Sequence, residues 1–277
     1  MRYSGFYRAI GILHGEHRAT WPIHFCNEIE IERLEEYRRR TGANKPSYTA
    51  LVVKAIAKAV REISAEYPQI NSYLRNVLGW KTIHTFDRIS AGVAVSRDDA
   101  GEDQTVVSIV LDPERTPLSA ITEQLRDHAT MPVRDIPYVR NCYYLFRLPS
   151  PLQRLMLWVG KTFPEKRRLY RGTFTLTSVG KFGVDFQLTL PQASSLQFGF
   201  GSIRQRPVAR DGQVIAAKTF FLTLSFDRRL MNGKPCAKLM ERIRTILESA
   251  EFDDEAGCGS GDPASIRRQE QPAETVS

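Results

Sequence analysis

The chain has 277 residues, 42% of them apolar, and 39 Lys and Arg against 31 Asp and Glu give a formal charge of +8. That length and apolar content suffice for a sizeable buried core and exclude a disordered or fibrous chain. The positive balance admits nucleic acid, a membrane surface or an anionic ligand, but the basic residues are scattered among acids and no nucleic-acid motif appears, so nucleic acid is not expected as a partner.

The N-terminal apolar run, residues 9–13, is interrupted by Gly11 and is too short for a secretory segment or a membrane span, which predicts a cytoplasmic protein. Cys26, Cys142, Cys236 and Cys258 lack C-x-x-C spacing, and neither a zinc site nor a disulfide framework is expected. His14, His17, His24, His84 and His128 have no metal-ligand spacing either; His14 and His17 can share a helix face, but a third ligand is missing.

In chain order, Ile23, Phe25, Ile29 and Ile31 suggest a strand that runs into a helix over 32–40, whose Arg38-Arg39-Arg40 end suits a helix C-terminus before Gly42. A second helix from about Ser47 to Ala65 places Val52, Val53, Ile56, Ala59, Val60 and Ile63 on one face, and Pro68 follows its end. Residues 89–95 and 105–111 read as strands rich in Val and Ile, and 117–128 as a helix.

The apolar segment 151–160, followed by Lys166, Arg167, Arg168 and Arg171, has the composition of a membrane-surface helix. A helix that covers an apolar surface of its own protein or of a neighbouring subunit is the simpler reading, and a membrane is not expected. The last third is strand-rich: 173–178, 195–202, 206–210, an Asp211-Gly212 turn, and 214–226. Pro235 then opens a helix with Cys236, Leu239, Met240, Ile243 and Leu247 on one face. Residues 1–252 read as one domain, and 253–277, poor in large apolar residues, as a disordered tail.

Four ordered blocks carry a resemblance. They are Trp21-Pro22-Ile23-His24-Phe25, Tyr67-Pro68-Gln69-Ile70-Asn71, the run from Gly172-Thr173-Phe174-Thr175-Leu176-Thr177 to Gly183, and Gly201 to Val208 followed by Asp211-Gly212 and Phe226-Asp227-Arg228-Arg229-Leu230-Met231-Asn232-Gly233. Together they resemble the catalytic domain of the dihydrolipoyl acyltransferases of 2-oxoacid dehydrogenase complexes. The last block is similar to that family's D-H-R-x-x-D-G signature, with Arg228 at the His position and Asn232 at the second Asp position.

The resemblance covers about residues 8 to 250. It implies an α+β, chloramphenicol-acetyltransferase-like two-layer fold, a mixed sheet with helices packed on it. It also implies a homotrimer with active sites between subunits, and coenzyme A or acyl-coenzyme A as substrate with no metal. The family's lipoyl and peripheral-subunit-binding domains have no counterpart before this region, so the expectation is a stand-alone member without a lipoyl group of its own.

The family histidine takes a proton from the thiol of coenzyme A or dihydrolipoamide so that sulfur can attack a thioester carbonyl. A base is needed because a thiol of pKa about 8.5 is only slightly ionised at neutral pH, whereas histidine near 6.5 accepts and returns a proton. An arginine has no acceptor lone pair and cannot do this. By the same resemblance Thr177 stands at the oxyanion-donor serine and keeps its hydroxyl, Asn232 keeps the shape of the Asp without its charge, and Asp227 and Arg229 take structural roles.

Three readings of Arg228 stay open: loss of acyl transfer; altered transfer, in which the cation lowers the pKa of a bound thiol; or a bidentate hold on a different anionic ligand, such as the carboxylate of a dicarboxylic acyl group. A non-enzymatic alternative is a trimeric structural or regulatory subunit that co-assembles with active or lipoyl-bearing acyltransferases.

Overall fold

Two strands far apart in the chain organise the molecule, a computed structural model that describes residues 21–42, 45–77, 80–99, 102–132, 135–136, 149, 151–152, 155, 163–191 and 194–252. Strand β1, Pro22–Glu30, lies antiparallel to β9, Gln213–Asp227, in register from Pro22 opposite Asp227 to Glu30 opposite Thr219. On the other side of β9 runs β7, Leu196–Phe200, antiparallel to it, and next comes β6, Phe174–Ser178, parallel to β7. Strand β4, Ser90–Asp99, is parallel to β6, and β5, Glu102–Leu111, closes that edge antiparallel. β8, Arg204–Arg210, pairs with the first half of β9. The sheet is mixed, as expected.

Side chains alternate across each strand, so one face of the sheet collects the large apolar residues. Phe174 and Leu176, Leu196, Phe198 and Phe200, and Phe220, Leu222, Leu224 and Phe226 are all buried there. Against this face pack α2, Tyr48–Glu66, and α5, Gly233–Ser249, flanked by α1, Glu32–Arg40, and α3, Leu118–Thr130. The α+β two-layer expectation is met.

Helix α2 starts where Ser47 was placed: its Oγ accepts from the Ala50 amide at 3.1 Å. One apolar face was expected, but Leu51, Lys54, Ala55 and Ala57 are buried as well. The helix has α5 on one flank and α3 on another, so little of its first half meets water. Lys54 escapes an unpaired burial by donating Nζ to the Thr116 carbonyl at 2.8 Å. At the Asp211-Gly212 turn both φ values are positive, +52° and +78°, as a two-residue type I′ hairpin requires. In α5 the predicted face, Cys236, Leu239, Met240, Ile243 and Leu247, is fully buried.

Two elements were not anticipated. A hairpin of β2, Ser72–Val77, and β3, Trp80–Thr85, forms its own two-stranded sheet. Its polar and apolar residues do not alternate cleanly because its packing is local, Tyr73 stacked on Phe86 with His84 at their edge. Helix α4, Pro164–Arg171, is short and cationic; Pro164 opens it and Gly172 at φ +76° follows its end. Of the helix expected over 151–160, only Pro151, Leu152 and Leu155 are among the described residues, and Leu152 and Leu155 are exposed. The tail 253–277, Cys142, Cys258, His14 and His17 lie outside them.

Candidate active site

The signature begins at the last residue of β9. Asp227 is buried, its amide bonded to the Ser195 carbonyl at 3.3 Å. Its carboxylate receives the Arg229 amide at 3.0 Å and Arg229 Nε at 2.9 Å, while its carbonyl accepts from the Leu230 amide at 3.0 Å. A tight turn is thus held by one buried carboxylate, and the bond to Asp227 holds the Arg229 guanidinium above the ordinary arginine range. Asp227 and Arg229 have the geometry of a structural pair.

Between them Arg228 points outward and is exposed. Its amide donates to the Trp21 carbonyl at 2.8 Å, which ties the signature to the start of β1. Its Nη1 donates to Oδ1 of Asn232. Asn232 is the N-cap of α5 with an extended backbone, yet its side chain makes no capping bond. The Asn oxygen that would ordinarily take a first-turn amide is engaged by the arginine instead. The two altered signature positions are joined to each other.

Thr177 lies elsewhere on the sheet. It is half-buried near the end of β6, in a lateral row with Ala94 of β4, Gly199 of β7, Thr223 of β9 and Cys26 of β1. Among the described residues its hydroxyl has no hydrogen-bond partner, so it is available as a donor. Arg228 is two strands across and five residues beyond Thr223, which places it on the order of 20 Å away at normal strand spacing and rise. A single chain does not bring Thr177 and Arg228 together.

The sheet face that carries Thr177 is polar and small. His24 Nδ1 meets Ser225 Oγ at 2.7 Å, and Thr223 Oγ1 donates to the Gln187 carbonyl at 2.7 Å. Cys26 shares this face, its thiol pushed up by burial and by the charge of Glu28. Segment 182–190 crosses over the row: a Cβ on Gly199 would stand 2.9 Å from the Gln187 carbonyl, and one on Gly201 1.6 Å from that of Asp185. Asp185 clamps the segment by accepting from Arg204 Nε at 3.0 Å and Arg206 Nη2 at 2.9 Å. Sequence reasoning missed this clamp, since only the tertiary fold opposes Gly201 to Asp185.

Along the clamped segment Phe182, Val184, Phe186, Leu188 and Leu190 are each 43–57% exposed, an apolar stripe with a two-residue period. No cluster of His, Cys, Asp or Glu among the described residues has the geometry for a metal ion. The arrangement offers a hydroxyl donor on one patch and a guanidinium–amide pair on another, with no histidine in the signature.

The family model of the 2-oxoacid dehydrogenase acyltransferases (catalytic domain) matches residues 11–132 and 164–252. The chain belongs to this family. It is 28% identical over 233 residues to the lipoamide acyltransferase component of the branched-chain alpha-keto acid dehydrogenase complex of Bacillus subtilis, covering 80% of this chain and 45% of that protein. To the dihydrolipoyllysine-residue acetyltransferase component of the pyruvate dehydrogenase complex of Staphylococcus epidermidis it is 23% identical, over 88% of this chain and 49% of that one. The chain therefore spans about half the length of these relatives. Among solved structures, a probable dihydrolipoamide acetyltransferase from Listeria monocytogenes superposes with a TM-score of 0.64 at 19% identity, covering 94% of this chain and 97% of that one. The Azotobacter vinelandii dihydrolipoamide acetyltransferase gives 0.62 at 18%, covering 87% and 88%. The dihydrolipoyl acyltransferase core and this chain share their fold.

Proposed function

We propose that this acyltransferase-family protein has given up the histidine-dependent transfer of an acyl group between coenzyme A and a thiol, and holds an arginine–asparagine pair where that chemistry would occur. The observation that carries this reading is the bond from Arg228 Nη1 to Asn232 Oδ1. A guanidinium offers no lone pair to a thiol proton, and here it is also tethered. In the Azotobacter enzyme the residues investigated for catalysis are a serine, a histidine and, four positions beyond the histidine, an asparagine. Arg228 and Asn232 have that same spacing, and Thr177 supplies a hydroxyl in place of the serine's. Thr177 retains the donor, Asn232 retains the amide, and the base is what is lost.

The test is turnover of acetyl-coenzyme A with dihydrolipoamide by the purified protein and by Arg228→His. The expected result is background turnover for the unchanged chain and a gain of about two to four orders of magnitude for the variant. Turnover well above background in the unchanged chain overturns the reading in favour of altered transfer aided by the Arg228 cation.

A second reading rests on the stripe from Phe182 to Leu190. We infer a cytoplasmic homotrimer that also co-assembles with active or lipoyl-bearing acyltransferase subunits. Five alternating exposed apolar residues on a clamped segment favour a protein contact. The wide separation of Thr177 from Arg228 within one chain favours a site completed between subunits. Light scattering on Phe186→Ser with Leu188→Ser is expected to give a lower mass than the unchanged protein. An unchanged mass, or no co-purification with acyltransferase subunits, removes this reading.

A further inference from the structure

The net charge of +8 is not spread evenly. Residues 133–171 hold nine Lys and Arg against two Asp and Glu, so one seventh of the chain carries seven of the eight net positive charges. The family model passes over 133–163, within this stretch.

The described part of the stretch presents apolar and basic groups together. Phe163, just before α4, and Lys166, Leu169 and Tyr170 on it are exposed, and Lys166 Nζ lies 5.6 Å from the centre of the Phe163 ring. The helix turns inward at Arg168, which is buried and paired with Glu165. Leu152 and Leu155 are exposed in the single chain. The β2–β3 hairpin docks on the same helix, with the Arg167 guanidinium 4.7 Å above the Tyr73 ring. By strand alternation Tyr73, His84 and Trp80 share one face of that hairpin, the face Arg167 packs on, and Trp80 at its tip is 80% exposed.

We propose that α4 and the tip of the β2–β3 hairpin form a docking surface for an anionic phospholipid bilayer. Basic side chains beside exposed Leu, Phe, Tyr and Trp match both halves of such a surface, headgroup charge and the interfacial apolar layer. Nucleic acid would satisfy the charge but not the aliphatic residues, because its interfaces are strongly polar. No helix among the described residues is long and apolar enough to cross a membrane, so the contact is peripheral. It places an acyltransferase-fold protein at a lipid surface.

The experiment is flotation of the full chain with vesicles of phosphatidylcholine alone or with about one third phosphatidylglycerol. Binding is expected only to the anionic vesicles, and raising salt from about 0.1 M to about 0.5 M is expected to release it. Lys166→Gln is expected to weaken binding about fivefold, the worth of one surface cation. Trp80→Ser and Leu169→Gln are each expected to reduce it, while Val214→Ser, on the distant β8–β9 hairpin, leaves it unchanged. No vesicle binding, or equal retention of all four variants, overturns the proposal. So does a fall in oligomeric mass on Leu169→Gln or Trp80→Ser, which would make the surface a subunit contact.

Discussion

Arg228 donates Nη1 to Oδ1 of Asn232, so the residue at the family's histidine position is bound to the residue four places on that begins α5. The pair is exposed and joins two positions of one turn. It orders the guanidinium at the expense of a side-chain cap.

Breaking that pair has little effect on folding. Arg228→Ala is expected to change the unfolding free energy by less than about 1 kcal/mol, since one exposed hydrogen bond is lost and Asn232 is freed to cap α5. Chemical denaturation checks this. A loss several times larger would mean that Arg228 holds the turn itself.

The hydroxyl of Thr177 matters only once a base is present. In an Arg228→His background, Thr177→Ser is expected to preserve transfer and Thr177→Val to lower it by about 3 kcal/mol of transition-state stabilisation, on the order of a hundredfold. Equal rates for the two variants would remove Thr177 from the site. Steady-state kinetics with acetyl-coenzyme A and dihydrolipoamide decide it.

The Asp227–Arg229 pair is structural. Asp227 is buried, and its removal leaves three Arg229 donors, the amide, Nε and Nη2, without their acceptor. Asp227→Ala is expected to destabilise by roughly 3–5 kcal/mol, whereas Arg228→Ala, one residue away, is nearly neutral. Thermal unfolding of both variants tests the contrast.

Glu114 gives the pH dependence a definite sign. It is half-buried, its Oε2 is enclosed without a partner, and burial pushes its carboxyl above the usual range. The protonated form is favoured in the folded state, so its contribution is fully present below the unfolded value and is lost as pH rises through the folded one. Glu114→Gln is therefore expected to raise the thermal midpoint at about pH 8 and to leave it nearly unchanged at about pH 4. A gain of the same size at both values would tie the effect to packing.

The sequence by itself determined the family, the strands that carry strong apolar alternation, the Asp211-Gly212 turn, the start of α2 near Ser47 and the buried face of α5. These are local: residue periodicity, turn chemistry and capping act within a few positions of the chain. It also singled out Arg228, because an arginine cannot take a proton whatever surrounds it. Only the tertiary structure decided that Arg228 is tied to Asn232, that Thr177 lies far from both in one chain, and that Gly201 and Asp185 clamp an apolar stripe outward. The β2–β3 hairpin and α4 were missed for the same reason: each is stabilised by its neighbour, through Tyr73 and Arg167, and less by its own pattern. Contacts between residues distant in the chain set those outcomes, and no local period records them.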